Sequence, residues 1–547
     1  MLVDGFAAVD FGFAREVLQR GIAGLYLVAF VSTLNQFRAL LGDNGLLPAP
    51  VLLDWIGEKR ERRRMLHPTL FVRIRYSDRR LALLCGAGIV VSALLVIGVP
   101  QWGPPWVPML CFLALWLGYM SVVSIGQTFY SFGWEMLLLE AGFLAAFLGS
   151  NDQPAPTVVI VLFWWLLFRV EFGAGMIKIR GGQEWRDLTA LTYHHETQPM
   201  PGPLSRQAHL LPRWFHRGEV VGNHFAQLVV PFFVFAPLLS VWVPGPVPQI
   251  VGAVAAVIVI ATQVWLVATG NFAWLNWVTI VIAFSAIGMP GVGAPVAERA
   301  VPDESLWPGI PLYWFVITTA VGILVVALSW PALRNLFARR QLMNASFNRW
   351  QIGNAYGAFG TVTKERIEIV VEGSVDDDGL LWREYEFKGK PGDVRRIPRQ
   401  FAPYHLRLDW LMWFLPLGRS LDELVHGVPA ATSRSGCSDP RAAALRPVRR
   451  RAASVGACGV VSLPLRHPSR TARRRCGLGA HAPADRARPP RVAVGRVAAS
   501  PLFGIPCQPS PLPRPHLALA LTPPSPSPLP RPHLLGRRTA LWEEVSR

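Results

Sequence analysis

Charged side chains are scarce in this chain. Only 16% of its 547 residues are Asp, Glu, Lys or Arg, whereas 51% are hydrophobic and 11% are aromatic. Soluble globular domains usually carry about 25% charged residues, so this shortage excludes an ordinary soluble protein. The apolar residues form long blocks. Leu81–Pro100 and Val247–Gly270 are each long enough to cross a hydrocarbon core of roughly 30 Å as a helix. The sequence therefore predicts an α-helical multi-pass membrane protein.

Cysteine is sparse as well, and its spacing excludes the common zinc motifs. The chain has six cysteines, no C-x-x-C pair and no Cys/His ligand spacing. Cys85 and Cys111 lie in apolar segments, where a thiol usually acts as a small hydrophobic group. The sequence also lacks a P-loop, a dinucleotide fingerprint and a nucleophile elbow. We therefore predict no metal and no cofactor.

The N-terminus lacks a cleavable signal peptide. Asp4, Asp10 and Glu16 interrupt the first residues, and no small-residue cleavage site follows a short apolar core. We expect the first apolar segment to remain as a membrane anchor.

Lysine is rarer still, with five Lys against 49 Arg. This bias suggests a GC-rich, bacterial source. The formal net charge is +19, but residues 427–547 hold 20 Arg, no Lys and four acidic residues, which gives +16 there and +3 in the rest of the chain. The basicity therefore belongs to the tail and not to the apolar body.

The tail also holds 20 of the 48 prolines and a near-repeat, "PSPLPRPHLALAL" followed by "PSPSPLPRPHLLG". This low-complexity composition predicts disorder across residues 427–547. Two alternatives remain: a basic arm for anionic lipid or nucleic acid, and the product of a shifted reading frame in GC-rich DNA. We predict membrane lipids as partners, and no specific nucleic acid.

Apolar runs predict about nine membrane helices. They lie near 21–41, 81–100, 106–126, 131–149, 157–177, 221–243, 247–269, 271–288 and 311–333. The segment 131–149 carries Glu135 and Glu140, so we expect it to be embedded without facing lipid. Residues 1–340 are thus predicted to form a multi-pass transmembrane domain.

The distribution of basic residues predicts the topology. The loop 42–80 is rich in Arg, which the positive-inside rule places in the cytoplasm. Counting about nine crossings puts the loop 178–220 and the chain after Arg340 on the same side. All three regions are therefore expected on one face, and that face is expected to be cytoplasmic.

The pattern changes from helical to β after Arg340. "RIEIVVEG" alternates apolar and charged residues, "SVDDDG" is typical of a turn, and "LWREYEFK" predicts a second strand. We predict a small β-rich domain over residues 345–415.

Polar side chains inside the apolar segments need partners, because burying them alone costs free energy. Glu135 and Glu140 lie in one such segment, and Arg169 and Glu171 lie in another. Arg169 is expected to pair with one Glu across the two helices, and an interhelical ion pair is favoured over a catalytic role. Asn271 and Asn276, in "GNFAWLNW", are expected to serve as structural donors at a helix break.

Lys178 is the strongest candidate for chemistry. At the end of an apolar helix it is expected to extend its ammonium to the membrane surface. The alternative is a partly desolvated general base, with His194 or His195 assisting proton transfer. Two histidines without the carboxylate or cysteine spacing of a known metal motif give weak support for a metal site.

Six strings of this chain resemble the lipase maturation factor family. They are "YSFGWEMLLLEAGFLAAFLG", "LLFRVEFGAGMIKIRGGQEWRDLTALTYHHETQPMPGPLS", "GNFAWLNWVTI", "NAYGAFGTVTKERIEIVVEG", "WREYEFKGKPGDVRR" and "APYHLRLDWLMWF". The resemblance covers roughly residues 10–415. After "LDWLMWF" the family continues with more of its domain, whereas here the Arg/Pro-rich tail begins.

The resemblance implies a multi-pass protein of the endoplasmic reticulum that helps secreted lipases to fold and assemble. It assigns this role to the C-terminal part, here Asn344–Phe414, and it places that part in the lumen, opposite to the charge rule. Within these strings, Trp382, Tyr385, Asp409 and Trp410 are candidate client-binding residues. If the source is bacterial, the plasma membrane is expected instead.

The stretch "GAGMIK…EW" also looks distantly like the membrane domain of vitamin K-dependent carboxylases. In that family a lysine at a comparable place is the base, which keeps a membrane enzyme using Lys178 as the alternative. We expect a non-catalytic protein, since no complete catalytic constellation is present.

Overall fold

The computed structural model describes residues 6–57, 67–289, 310–374, 382–393, 395–417 and 454–462. In chain order the helices are α1 Gly12–Leu41, α2 Ala49–Gly57, α3 Asp78–Ile97, α4 Trp106–Ile125, α5 Gly133–Ala145, α6 Thr157–Arg180, α7 Gln183–Arg186, α8 Leu191–Thr197, α9 Ser205–His209, α10 Arg213–Leu228, α11 Val230–Phe233, α12 Val247–Thr269, α13 Leu275–Ala283, α14 Leu312–Phe337 and α15 Arg407–Met412. The strands are β1 Ala7–Ala8, β2 Ala155–Pro156, β3 Ile367–Ser374, β4 Trp382–Glu384 and β5 Ser454–Ser462.

Seven helices of the described chain are long and apolar enough to cross a membrane. They are α1, α3, α4, α6, α10 with its continuation to Val241, α12 and α14. The multi-pass membrane architecture is therefore confirmed. Of the nine predicted spanning or membrane-embedded helices, these seven are long enough to be full spans, whereas two of the predicted segments contain only shorter helices.

These two segments are 131–149 and 271–288. The first contains α5, which has 13 residues, all of them buried. The second contains a short apolar helix over Leu275–Ala286. A helix of 13 residues rises about 20 Å, less than the hydrocarbon thickness of roughly 30 Å. Neighbouring helices surround α5, so its two glutamates lie inside the protein and not in lipid.

The helix ends gather on two opposite faces. Helix α1 has 30 residues, about 45 Å of rise, so its ends must lie on different faces. At its start, β1 pairs antiparallel with β2 just before α6. On the same side, the backbone N–H of Met289 donates to the carbonyl oxygen of Asp10 at 2.8 Å. We call this side the N face.

The opposite side, the C face, carries the chain that follows α14. His67 Nδ1, in the segment between α2 and α3, lies 3.0 Å from the carbonyl oxygen of Arg349. Arg366 donates to the carbonyl oxygen of Glu196, in the segment between α6 and α10, at 2.8 Å. The predicted gathering of loop 42–80, loop 178–220 and the C-terminal part on one face is therefore confirmed.

Residues 338–417, the C-terminal segment, contain the predicted hairpin. Strands β3 and β4 pair antiparallel, with Glu372 opposite Glu384, and the turn between them lies outside the described residues. The two strands cover eight and three residues, so the rest of the segment consists mainly of irregular backbone packed on the helices.

Strand β5 belongs to the tail for which disorder was predicted. It pairs antiparallel with β3, from Ile367 opposite Ser462 to Ser374 opposite Ser454. These nine residues form a strand. Their sequence, "SVGACGVVS", has no Pro, so every residue keeps the backbone N–H that a strand ladder needs. The other tail residues lie outside the described part of the chain.

Two glycines let the C-terminal segment lie directly on α6. A Cβ built at Gly173 would overlap the carbonyl oxygen of Tyr356, and one at Gly181 would overlap that of Gly360. The N–H of Gly182 donates to the same Gly360 oxygen at 2.7 Å. Because backbone atoms meet here, neither side can yield by changing a rotamer. The glycines at the end of α6 therefore allow the backbone of the C-terminal segment to pack against the helix.

We expect Gly173→Ala to destabilise the folded protein by about 1–3 kcal/mol, since an added methyl group forces a backbone shift. The measurement is the thermal unfolding midpoint of the purified protein in detergent. Gly222→Ala is the matched control, because Gly222 lies in α10 with no atom within 4 Å of its built Cβ. Equal midpoints for Gly173→Ala and wild type would contradict the close backbone contact.

Candidate functional site at the junction of the helices and the C-terminal segment

The Glu140 carboxylate joins two helices to the C-terminal segment. It is fully buried in α5 and forms an ion pair with Arg169 of α6, whose Nη2 lies 2.5 Å from Oε1. The backbone N–H groups of Gly353 and Asn354 donate to it at 2.9 and 3.2 Å. The Asn354 amide and the Tyr356 hydroxyl donate at 3.0 and 2.7 Å. The ion pair predicted for Arg169 is present, and the same carboxylate also accepts hydrogen bonds from the C-terminal segment.

Glu135, one turn earlier in α5, anchors a second part of the segment. Arg407 Nη1, at the start of α15, donates to its Oε1 at 2.6 Å. The Tyr119 hydroxyl of α4 donates to its other oxygen. Arg407 also donates to the carbonyl oxygen of Phe129 at 2.8 Å and lies over the Tyr130 ring, 3.5 Å from its centroid. Both glutamates of α5 thus hold the C-terminal segment.

His405 is packed beside this ion pair. Its Nδ1 lies 3.8 Å from Glu135 Oε1, and its ring meets the rings of Trp134 and Trp274 edge to face. Burial lowers the pKa of His405 to about 4, so the ring is neutral at pH 7. The positive charge that balances Glu135 is therefore that of Arg407.

Asn271 stabilises the non-helical stretch between α12 and α13 through its hydrogen bonds. Its amide nitrogen donates to the carbonyl oxygens of Pro201 and Arg399, at 3.0 and 2.9 Å. Its amide oxygen accepts from the N–H groups of Phe401 and Ala402, at 2.7 and 2.9 Å. Asn276 is also buried, one turn into the bundle. Asn271 therefore connects the helices to two other chain segments.

Strand β3 begins in a buried charge cluster that the sequence did not indicate. Glu368 is paired with Arg366 at 2.6 Å and with Lys390 at 2.7 Å. Arg366 also donates to the carbonyl oxygen of Gln198 at 2.5 Å. In the sequence these residues belong to an alternating strand pattern, which predicts solvated charges. Their burial follows from the docking of the strand on the segment between α6 and α10.

Lys178 is held as a cation. Its Nζ donates to Asn223 Oδ1 at 2.8 Å and to Gln227 Oε1 at 2.9 Å, both on α10. It also lies over the Trp185 ring, 4.6 Å from the centroid. Two amide oxygens and the face of an indole all favour an ammonium over a neutral amine. Glu171, two turns earlier, accepts instead from Gln263 Nε2 of α12 at 2.7 Å.

His194 and His195 point to different environments. His194 stacks on Phe272 and meets Phe359 edge to face, and burial lowers its pKa to about 3. His195 Nε2 instead lies 3.3 Å from Glu219 Oε2 on α10. Within the described residues, no hydrogen bond joins either ring to Lys178. The three candidates for proton transfer are therefore not assembled around one site.

The four candidate client-binding residues differ in accessibility. Tyr385 is 53% exposed, whereas Asp409 and Trp410 are 8% and 2% exposed. Asp409 accepts from the N–H of Gly389 at 2.6 Å, and Trp410 packs against Trp134. Asp409 and Trp410 therefore position the segment and are not available for direct contact. Trp382 lies in β4, and its side chain falls outside the described residues.

We expect Glu140→Ala and Arg169→Met each to destabilise the protein by about 3–5 kcal/mol, because each leaves a buried charge without its partner. The double variant should recover only part of this loss, since Gly353, Asn354 and Tyr356 still lack their acceptor. Thermal unfolding in detergent measures both effects. Glu16→Ala is the control, because its pair with Arg20 is exposed and contributes little. A double variant as stable as wild type would show that the carboxylate does not hold the segment.

Comparison with known proteins connects this junction to a family. A model described as the lipase maturation factor transmembrane domain matches residues 13–290. A model described as the lipase maturation factor C-terminal domain matches residues 352–426. The two matches therefore fall on the two sides of the Glu140 and Glu135 anchors. No solved structure matches the chain.

Curated relatives agree with the family models. Lipase maturation factor 1 of Mus musculus is 40% identical over 441 residues, which covers 74% of this chain and 74% of the relative. Lipase maturation factor 1 of Homo sapiens is 39% identical over 438 residues, with the same coverage. Lipase maturation factor 2 of Gallus gallus is 29% identical over 516 residues, covering 74% of this chain and 70% of the relative. These relatives are animal proteins, and the bacterial source suggested by the arginine bias has no support. The chain belongs to the lipase maturation factor family.

Proposed function

We propose that this chain is an integral protein of the endoplasmic reticulum membrane that assists the folding, assembly or maturation of secreted lipases. The names of its relatives supply the client class. The observation that carries the proposal is the match of both family models, one on each side of a junction built from buried charges. The chain then works as one unit, with the helices 1–340 supporting a C-terminal domain over 345–415.

The geometry favours a scaffold over an enzyme. Lys178 donates to two amide oxygens and lies over an indole face, and these contacts favour the ammonium over the neutral amine that a general base requires. Neither histidine is hydrogen-bonded to it in the described chain. None of the families or relatives named above is a carboxylase. A client-binding role therefore accounts for this site better than the carboxylase-like alternative.

The client surface is proposed on the exposed part of the C-terminal segment. Tyr385 and Ile397 are 53% and 74% exposed, although most large side chains of the segment pack on the helices. The N–H of Tyr385 donates to the Val371 carbonyl oxygen at 2.8 Å, so its backbone is fixed by the hairpin. Tyrosine is enriched among the residues that contribute most to binding at protein interfaces.

We expect Tyr385→Ala to lower secreted lipase activity several-fold while the amount of the membrane protein stays unchanged. The measurement is lipase activity in the medium of cells that lack their own maturation factor and express the variant. Tyr313→Ala is the control, because Tyr313 is 47% exposed at the start of α14, on the N face. Full activity of Tyr385→Ala would remove this residue from the client surface. Loss with both variants would point to a general effect of removing a tyrosine.

The proposal requires the C face to lie in the lumen, where secreted lipases fold, whereas the charge rule predicts the cytoplasm. Single cysteines at Ile397 and Val9, which is 56% exposed near the N face, decide between the two. With the native cysteines replaced, sealed microsomes are treated with an impermeant thiol reagent. Val9→Cys should react at once, and Ile397→Cys only after permeabilisation. The reverse pattern would place the C face in the cytoplasm and separate it from its client.

A further inference from the structure

Three potential metal ligands converge between α8 and α10. They are His195 of α8 and His216 and Glu219 of α10. One ligand atom from each residue lies within 4.8 Å of the other two. The two histidines are 2% exposed, and the Glu219 side chain is 12% exposed. The cluster is therefore almost enclosed, with the carboxylate on the side nearest to solvent.

The separations fit a metal ion better than direct ion pairs. Glu219 Oε2 lies 3.3 Å from His195 Nε2 and 3.5 Å from His216 Nδ1. Charge-assisted hydrogen bonds are usually about 2.7–2.9 Å long, so both contacts are stretched. Ligands bonded to zinc at about 2.0–2.1 Å in a tetrahedron lie roughly 3.3–3.5 Å apart. One ion between the three atoms would match both distances.

Two of the remaining polar atoms of the cluster are oriented by other groups, whereas His195 Nδ1 is buried without a hydrogen bond. Trp265 Nε1 of α12 donates to Glu219 Oε1 at 2.5 Å, which leaves Oε2 for the cluster. His216 Nε2 lies 3.3 Å from the carbonyl oxygen of His209, which leaves Nδ1 for the cluster. Such outer contacts are typical of metal ligands, because they fix the ring tautomer and the carboxylate orientation.

One ring atom points into the cluster without a hydrogen-bond partner. His216 Nδ1 is fully enclosed and makes no hydrogen bond, and its nearest charged neighbour is Glu219 Oε2 at 3.5 Å. A buried imidazole nitrogen that lacks a partner costs free energy. Coordination of a cation would satisfy it. This atom is a second observation that points to a ligand, independent of the spacing.

We propose that His195, His216 and Glu219 bind one Zn²⁺ ion, with a water molecule in the fourth position. Two imidazoles and one carboxylate form a donor set that suits zinc. The sequence predicted no metal, because His195 lies far from Glu219 along the chain and only the fold brings α10 against α8. On the C face, the ion would link α8 to α10. The inference does not depend on a lipase client.

The test uses the full chain purified in detergent. The protein is stripped with a chelator, incubated with ZnSO₄ and freed of excess ion, and zinc per chain is measured by mass spectrometry. We expect about one zinc per chain in the wild type and at least a ten-fold loss in Glu219→Gln and in His216→Gln. His224→Gln is the control, since His224 lies in the same helix but contacts the Trp185 carbonyl oxygen, and it should keep its zinc.

A second measurement distinguishes loss of the zinc site from misfolding of a variant. Zinc should raise the unfolding midpoint of the wild type and of His224→Gln, because it binds the folded state only, and should leave Glu219→Gln unchanged. Cobalt bound in place of zinc should give the visible bands of a tetrahedral site. Wild-type protein that takes up no more zinc than Glu219→Gln would overturn the proposal. Equal zinc in all four proteins would show non-specific binding and overturn it as well.

Discussion

The structure depends on the groups that balance the buried negative charge of the Glu140 carboxylate. This group lies with no solvent exposure in a helix that is itself enclosed by others. An isolated buried carboxylate is costly, so it must collect donors. Here one comes from α6, as Arg169, and the others come from residues 353–356 of the C-terminal segment. The same group therefore fixes the helix packing and the docking of the segment, and neither can change without the other.

The hydropathy pattern predicted most helices, because lipid-facing helices must carry long apolar runs. It could not give the length of the helix within each run: α5 has 13 residues, all buried among other helices, so its apolar residues pack in the protein core and not against lipid. The Arg169 pairing was predictable because a charge in an apolar run demands a partner nearby. The donors from Gly353 and Arg407 were not, since they lie 213 and 272 residues from their glutamates in the sequence. The burial of Arg366 and Glu368 was not predictable for a similar reason. The charges around β3 alternate as on a solvated face, and only the docking of the strand on the segment between α6 and α10 buries them.

The segment between α6 and α10 shows the same limit at the candidate site. "TYHHETQP" suggests that two neighbouring histidines act together, but successive residues on a helix point about 100° apart. His194 therefore faces Phe272, and His195 faces Glu219. Lys178, which the sequence places close to both, turns instead toward the amides of α10. Residue type alone left proton transfer as an alternative. The partners of the three side chains instead favour a bound cation for Lys178, an apolar contact for His194 and a carboxylate cluster for His195.

The buried junction also determines how the C-terminal segment can be studied. Removing it would take Arg407 from Glu135 and three donor residues from Glu140, leaving two carboxylates poorly compensated inside the helices. A truncated chain would therefore lose helix stability together with any client surface, and its inactivity would not locate that surface. Side chains that are exposed and take no part in the junction, such as Tyr385, separate the two effects. The fold makes the segment a part of the membrane domain in energetic terms, although the sequence gives it the appearance of an independent domain.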